Sequence, residues 1–178
     1  MIEQINNFFT VPMIYLWLNL GVLPFWLVLL FFPSSGVSKY MVRSIFPFMI
    51  FSFIYAYLLY YFFLIEFDFK NNFNLYLGLE QLSELFSETG FLIMFWCHFL
   101  AINLFCGAWI VSDSLKFSMS KFLVFFPLLI TYFIGPIGLF LYWLIRIFFA
   151  KKLSLYDYRN SVLLRFFKSV YIHCPQKN

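Results

Sequence analysis

Four uninterrupted apolar runs, Val11 to Phe32, Ile45 to Ile65, Phe91 to Val111 and Phe122 to Ile145, leave this chain few ways to fold. Each reaches the ~20 residues that a hydrocarbon layer about 30 Å thick requires at about 1.5 Å of rise per residue. None holds an acidic or basic side chain apart from His98. Membrane β-strands would be segments of about ten residues in strict alternation, which these runs lack. The expected fold class is therefore all-α: an integral membrane four-helix bundle, one domain over residues 1–178.

A lipid solvent also explains the composition. Of 178 residues, 63% are hydrophobic and 11% charged, against about 25% charged in soluble domains. The 29 Phe residues exceed what a core of this size buries, so many rings must face acyl chains or neighbouring helices. The first run is expected to remain as a span, because nothing before it is basic and it is long enough to cross. Cys97, Cys106 and Cys174 show neither metal-ligand nor redox spacing and read as small packing residues. No metal and no cofactor is implied.

Pro33, Ser34, Ser35 and Gly36 form a stop and turn signal, so the second span returns quickly. The long connection from Glu66 to Gly90 is acidic, with Leu75, Leu79, Leu82 and Phe86 at helical spacing and Glu80, Glu84 and Glu88 on another face. That pattern predicts an interfacial helix in the loop between spans two and three. Residues 150–178 form a basic, partly amphipathic tail, with an interfacial helix expected over 156–172. Its charge favours a cytoplasmic C-terminus, and the rich Phe, Asn, Lys and Ile usage suggests an AT-rich genome and hence a bacterial inner membrane. With four spans, the N-terminus and acidic loop would share that side, opposite Lys39, Arg43, Lys116 and Lys121. Membrane lipid is the expected partner. Nucleic acid is not, since the chain has no stacking platform or groove reader.

Polar groups in hydrocarbon are costly without partners, so the mid-span polar residues carry most of the information. In the third span Trp96, Asn103 and Gly107 share one stripe, while His98, Ala101, Phe105 and Trp109 share another about 140° away. Such a helix should sit centrally and touch neighbours on both sides. His98 and Asn103 have two open uses, as interhelical hydrogen-bond partners or as parts of a site. In the fourth span Pro127, Thr131, Gly135, Gly138 and Tyr142 fall within an ~80° stripe, with Arg146 just beyond it. Pro136 removes a hydrogen bond to the carbonyl of Tyr132, so a kink is predicted. The stripe has two possible uses, enclosing an elongated apolar ligand or packing helices tightly. Asn19 and Trp26 share a face of the first span, and Ser52, Ala56 and Tyr60 a face of the second.

These residues resemble the abscisic-acid-deficient-four-like family of membrane proteins, which includes the plant neoxanthin synthase and bacterial relatives. The resemblance runs from about Asn19 to about Arg146. It rests on Leu23, Pro24, Phe25 and Pro33, on Pro47 and the stretch YAYLLY from Tyr55, and on Leu85, Phe86 and Ser87. Its most specific part is WCHFLAINLF, Trp96 to Phe105, followed by Asp113, Pro127, Gly135, Pro136 and Gly138. It implies a four-span helical fold and a role in converting a carotenoid or other isoprenoid lipid, with a carotenoid or a carotenoid-pathway enzyme as partner. Opening an epoxide needs a proton donor and a base, and the resemblance assigns His98 as the candidate catalytic group. Where the family pattern is acidic this chain has Asn103, whose amide is neither a general acid nor a base. Asp113, matching the pattern, is some 22 Å along the helix from His98 and reads as an interfacial residue, as does Glu88. The alternative is a non-catalytic pigment- or lipid-binding or membrane assembly protein.

Overall fold

The computed structural model describes residues 10–62, 76 and 78–150; Leu75 and the tail helix expected at 156–172 lie outside them. The described residues form seven α-helices and no strand: α1 (Val11–Phe31), α2 (Gly36–Arg43), α3 (Phe46–Leu59), α4 (Leu79–Ser87), α5 (Thr89–Lys116), α6 (Lys121–Phe133) and α7 (Gly135–Ala150). Proline sits in the first turn of both α1 and α3, where its missing N–H and fixed φ are harmless. Ser35 caps α2, its hydroxyl accepting from the Ser38 N–H at 3.0 Å, so the turn predicted after Pro33 leads into a short helix that periodicity had not revealed. Helices α1 and α5 are each long and apolar enough to cross a membrane. Together α2 and α3, helical through Phe62, add a third candidate bent by 49°.

α5 occupies the centre and packs against the other helices, as its two marked flanks predict. α1 runs parallel to it: Tyr15 meets Trp96 with ring centroids 5.7 Å apart, and further along Trp26 lies over Gly107. α3 runs antiparallel, pairing Phe48 with Phe105 at 5.7 Å, Tyr55 with His98 at 6.0 Å and Phe62 with Gly90. The expected loop helix is present as α4. It exposes Glu80, Glu84 and Glu88 while burying Leu85, and its Phe86 ring packs 4.8 Å from that of Phe95.

The fourth run departs from expectation. It does not form one span; the helix breaks at Ile134 (φ −139°, ψ 84°), and α7 folds back along α6. A Cβ at Gly138 would overlap the Thr131 backbone and the Pro127 carbonyl oxygen, which a continuous helix would hold about 16 Å further along its axis. Gly135 at the turn lies against the Asn103 amide, midway along α5. Beyond it, Tyr142 and Arg146 return to Asp113, and the Arg146 guanidinium carbon lies 5.3 Å from the centre of the Phe117 ring. The two helices, of 13 and 16 residues, are about 20 and 24 Å long, too short to cross.

Two sequence expectations are not established by the described residues. The described residues supply at most three candidate spans, where a four-span bundle was expected. The beginning of α1 and the end of α7 lie toward opposite ends of α5, where a shared side was expected. The physical reason lies in the sequence Ile134-Gly135-Pro136-Ile137-Gly138. Its proline withholds an N–H from the preceding turn, and its glycines let two backbones meet without a side chain between them. The stripe of Pro127, Thr131, Gly138 and Tyr142 faces itself when the run folds at its middle. Periodicity alone cannot distinguish that hairpin from a straight helix packed on a neighbour.

Gly138 and Gly21 make a controlled pair, because nothing lies within 4 Å of a Cβ at Gly21. Gly138→Ala should lower stability by about 1–3 kcal/mol through overpacking. Gly21→Ala should leave it unchanged or raise it by up to about 1 kcal/mol. Thermal unfolding of both variants in one detergent checks the contrast.

Candidate functional site

Midway along α5, Asn103 is 3% exposed and its Nδ2 donates to the Tyr132 carbonyl at a long 3.5 Å. In an unbroken helix that carbonyl would accept from residue 136, which as proline has no N–H. The amide thus serves the backbone group that the hairpin turn leaves open. Next to it, Thr131 donates its hydroxyl to the Pro127 carbonyl at 2.7 Å, and Trp26 meets Tyr132 edge-on with ring centroids 5.3 Å apart. Asn103, Gly107, Thr131, Gly135 and Gly138 are buried packing residues, while Pro136 at the turn is exposed.

At the open end of the hairpin the structure forms an ion pair that sequence reasoning missed. Asp113 Oδ2 accepts from Tyr142 Oη at 3.0 Å and from Arg146 Nε at 2.5 Å. Asp113 and Arg146 are 3% and 2% exposed. The assignment of Asp113 to the interface is therefore corrected: it faces inward onto α7, with Trp109 edge-on to Tyr142 at 5.7 Å. Tyr142 and Arg146 stand one turn apart on one helical face, and an acid near the end of the preceding span was the available signal for their partner.

His98 stands apart from both arrangements. Its side chain is exposed on the α3 flank of α5, beside a depression of about 230 Å³ lined by Phe48, Phe51, Ser52, Tyr55, Cys97 and Ala101. The Cys97 thiol donates to the Phe51 carbonyl at 3.8 Å, which leaves the imidazole, the Tyr55 phenol and the exposed Ser52 hydroxyl as the polar groups of the wall. Among the described residues no carboxylate joins them: Asp113 lies about 22 Å along α5, and Glu88 about 15 Å the other way. Among the described residues no three His, Cys, Asp or Glu side chains gather as a metal site.

A second depression, about 490 Å³ and almost wholly apolar, lies where α1 and α5 begin, lined by Val11, Pro12, Tyr15, Leu92, Ile93 and Trp96 with Thr89 at its edge. Asn19 accepts from the Trp96 indole at 3.3 Å and donates to the Tyr15 carbonyl at 2.7 Å, which fixes the tryptophan against α1. The predicted site residues thus divide among separate places. Asn19 joins Trp96, Asn103 joins Gly135 and Tyr132, and Asp113 joins Tyr142, but none of these meets His98.

The family model described as ABA DEFICIENT 4-like matches residues 13–142, a stretch containing His98, Asn103, Asp113 and the α6–α7 turn. No curated protein and no solved structure matches the chain.

Substitutions at Asp113, Arg146 and Asn103 separate the roles of the buried polar groups. Asp113→Asn, which removes a carboxylate charge from beside the buried Arg146 guanidinium, should cost about 3–5 kcal/mol, and the Asp113→Leu, Arg146→Met double variant should be more stable than either single one. Asn103→Asp, which replaces an amide donor by an acceptor facing the Tyr132 carbonyl, should cost about 1–3 kcal/mol. Thermal unfolding of the purified variants in detergent measures each.

Proposed function

The chain belongs to the ABA DEFICIENT 4-like family, and from that membership and the depression at His98 we propose a multi-pass membrane protein that acts on, or assists conversion of, a carotenoid or other isoprenoid lipid. The observation behind this reading is an imidazole exposed sideways, about five residues from the middle of the longest apolar helix. At that depth a polar side chain facing lipid is costly unless something covers it. Phe48, Phe51 and Tyr55 offer flat apolar walls to a rigid unsaturated ligand. A depression of this volume takes one ring end of an elongated molecule, and the remainder lies along α3 and α5 among the acyl chains.

In this reading His98 transfers a proton at the ring end of the ligand, with the Tyr55 phenol and Ser52 hydroxyl positioned to orient an oxygen there. A second reading, in which the chain holds a pigment or lipid without changing it or assists assembly of a membrane enzyme, draws on Asn103. The position expected to be acidic is an amide that serves the Tyr132 carbonyl, and no described carboxylate stands near His98. A bacterial inner membrane is the setting proposed for either activity.

Carotenoid-accumulating cells expressing the protein or its His98→Ala variant test the proposal by chromatography of membrane pigment and of pigment bound to the purified protein. A new carotenoid from the unmodified protein alone, with variant and parent equally folded, is the expected result. Unchanged pigment that copurifies favours the binding role, and no pigment effect at all removes the carotenoid assignment.

A further inference from the structure

We infer that the chain crosses the membrane three times, that α6 and α7 enter and leave from the cytoplasmic side as a re-entrant hairpin, and that the segment before α1 lies on the opposite face. The first support is geometric. α6 starts just past the Lys116 end of α5, turns beside Asn103 halfway along it, and gives way to α7, whose Tyr142 and Arg146 are back at Asp113. With Asn103 near the bilayer centre, the turn reaches half the membrane's depth and both ends of the hairpin open on one side.

The second support is the charge that this path sorts, which the distances do not use. Were the fourth run to cross, Lys39, Arg43, Lys116 and Lys121 would face away from the other eight Lys and Arg residues of the chain's twelve. With the hairpin, every Lys and Arg except Lys70 falls on the side where α6 starts and α7 ends. The other side receives Glu3, Glu66, Asp68, Glu80, Glu84 and Glu88. Membrane insertion retains Lys and Arg of short flanking segments in the cytoplasm, so the basic side is cytoplasmic. Interrupted backbone at membrane depth needs its polar groups satisfied; here Asn103 serves the Tyr132 carbonyl, the Ile134 and Gly138 N–H groups reach the Ile130 and Ile134 carbonyls, and Gly135 and Gly138 are buried, while the side chains of Ile134, Pro136 and Ile137 that face outward are apolar.

The path also assigns a leaflet to the depression at His98. That residue lies about 7 Å from Asn103 toward the Thr89 end of α5, hence in the outer half of the bilayer. A lipid ligand therefore enters from the outer leaflet, a consequence that rests on the reading of His98 above, whereas the topology does not.

The test uses the full chain in bacterial cells. Ser83→Cys in α4, on a Cys174→Ser background, is treated with a membrane-impermeant maleimide on intact spheroplasts and after lysis, with the background protein as blank. In parallel, green fluorescent protein or a periplasm-activated phosphatase is fused after Asn178. Labelling of intact spheroplasts, a fluorescent fusion and an inactive phosphatase are expected. Labelling only after lysis with a fluorescent fusion would mean that α6 and α7 cross, and an active phosphatase would reverse the orientation; either overturns the inference. Neither readout involves pigment, so the topology can hold while the carotenoid assignment fails, or the reverse.

Discussion

A backbone carbonyl inside a bilayer must find a donor, and Pro136 takes one away from Tyr132. The amide of Asn103 answers that need from the neighbouring helix, and the path of the last quarter of the described chain follows from it. With the turn satisfied, Gly138 brings α7 against the backbone of α6, and Gly135 sits on the Asn103 side chain of α5. Arg146 then returns to the depth of Asp113, where the two charges neutralise one another with Tyr142 as a third partner. The turn and the ion pair fix the two ends of one hairpin. The ion pair is buried, and at the turn Gly135 and Gly138 are buried while Ile134, Pro136 and Ile137 present an apolar, exposed outer side.

Much of the fold was legible because hydrocarbon imposes a length. Val11, Phe31 and the extent of α5 lie within a few residues of the predicted limits, and the loop helix was visible in Leu79, Leu82, Phe86 and the three glutamates. The hairpin was not, since a segment that faces itself and a segment that faces a neighbour have the same periodicity. Asn103 was legible as unusual but not in its role: the missing proton of Pro136 was predicted, whereas its partner lay some thirty residues away in sequence and needed three dimensions. Asp113 went astray for a related reason. Its position near a helix end gives depth, but depth does not say whether a side chain points at headgroups or at another helix.

α5 separates two kinds of chemistry. One flank binds α6 and α7 through buried polar groups that partner one another. The other carries His98 and aromatic rings along a depression open to the side. Asn103 and His98 are near in sequence yet serve opposite flanks, so a motif containing both combines a structural requirement with a candidate functional one. The aromatic abundance of the chain serves both flanks: Trp26, Trp109 and Tyr142 pack within the protein, while Tyr15, Phe53 and Phe105 remain at its periphery.

The run from Phe122 to Ile145 also matters while the protein is being made. Insertion machinery meets it as a stretch apolar and long enough to pass through the bilayer, before any folded partner has specified otherwise. On the topology inferred above, full passage would carry Lys151 and Lys152 outward, and these cations would oppose it at the moment of synthesis, whereas the contacts with α5 form only once the segments have met. On that topology biosynthesis holds two competing outcomes for one segment, biased first by charge beyond its end and afterwards by the packing of its turn.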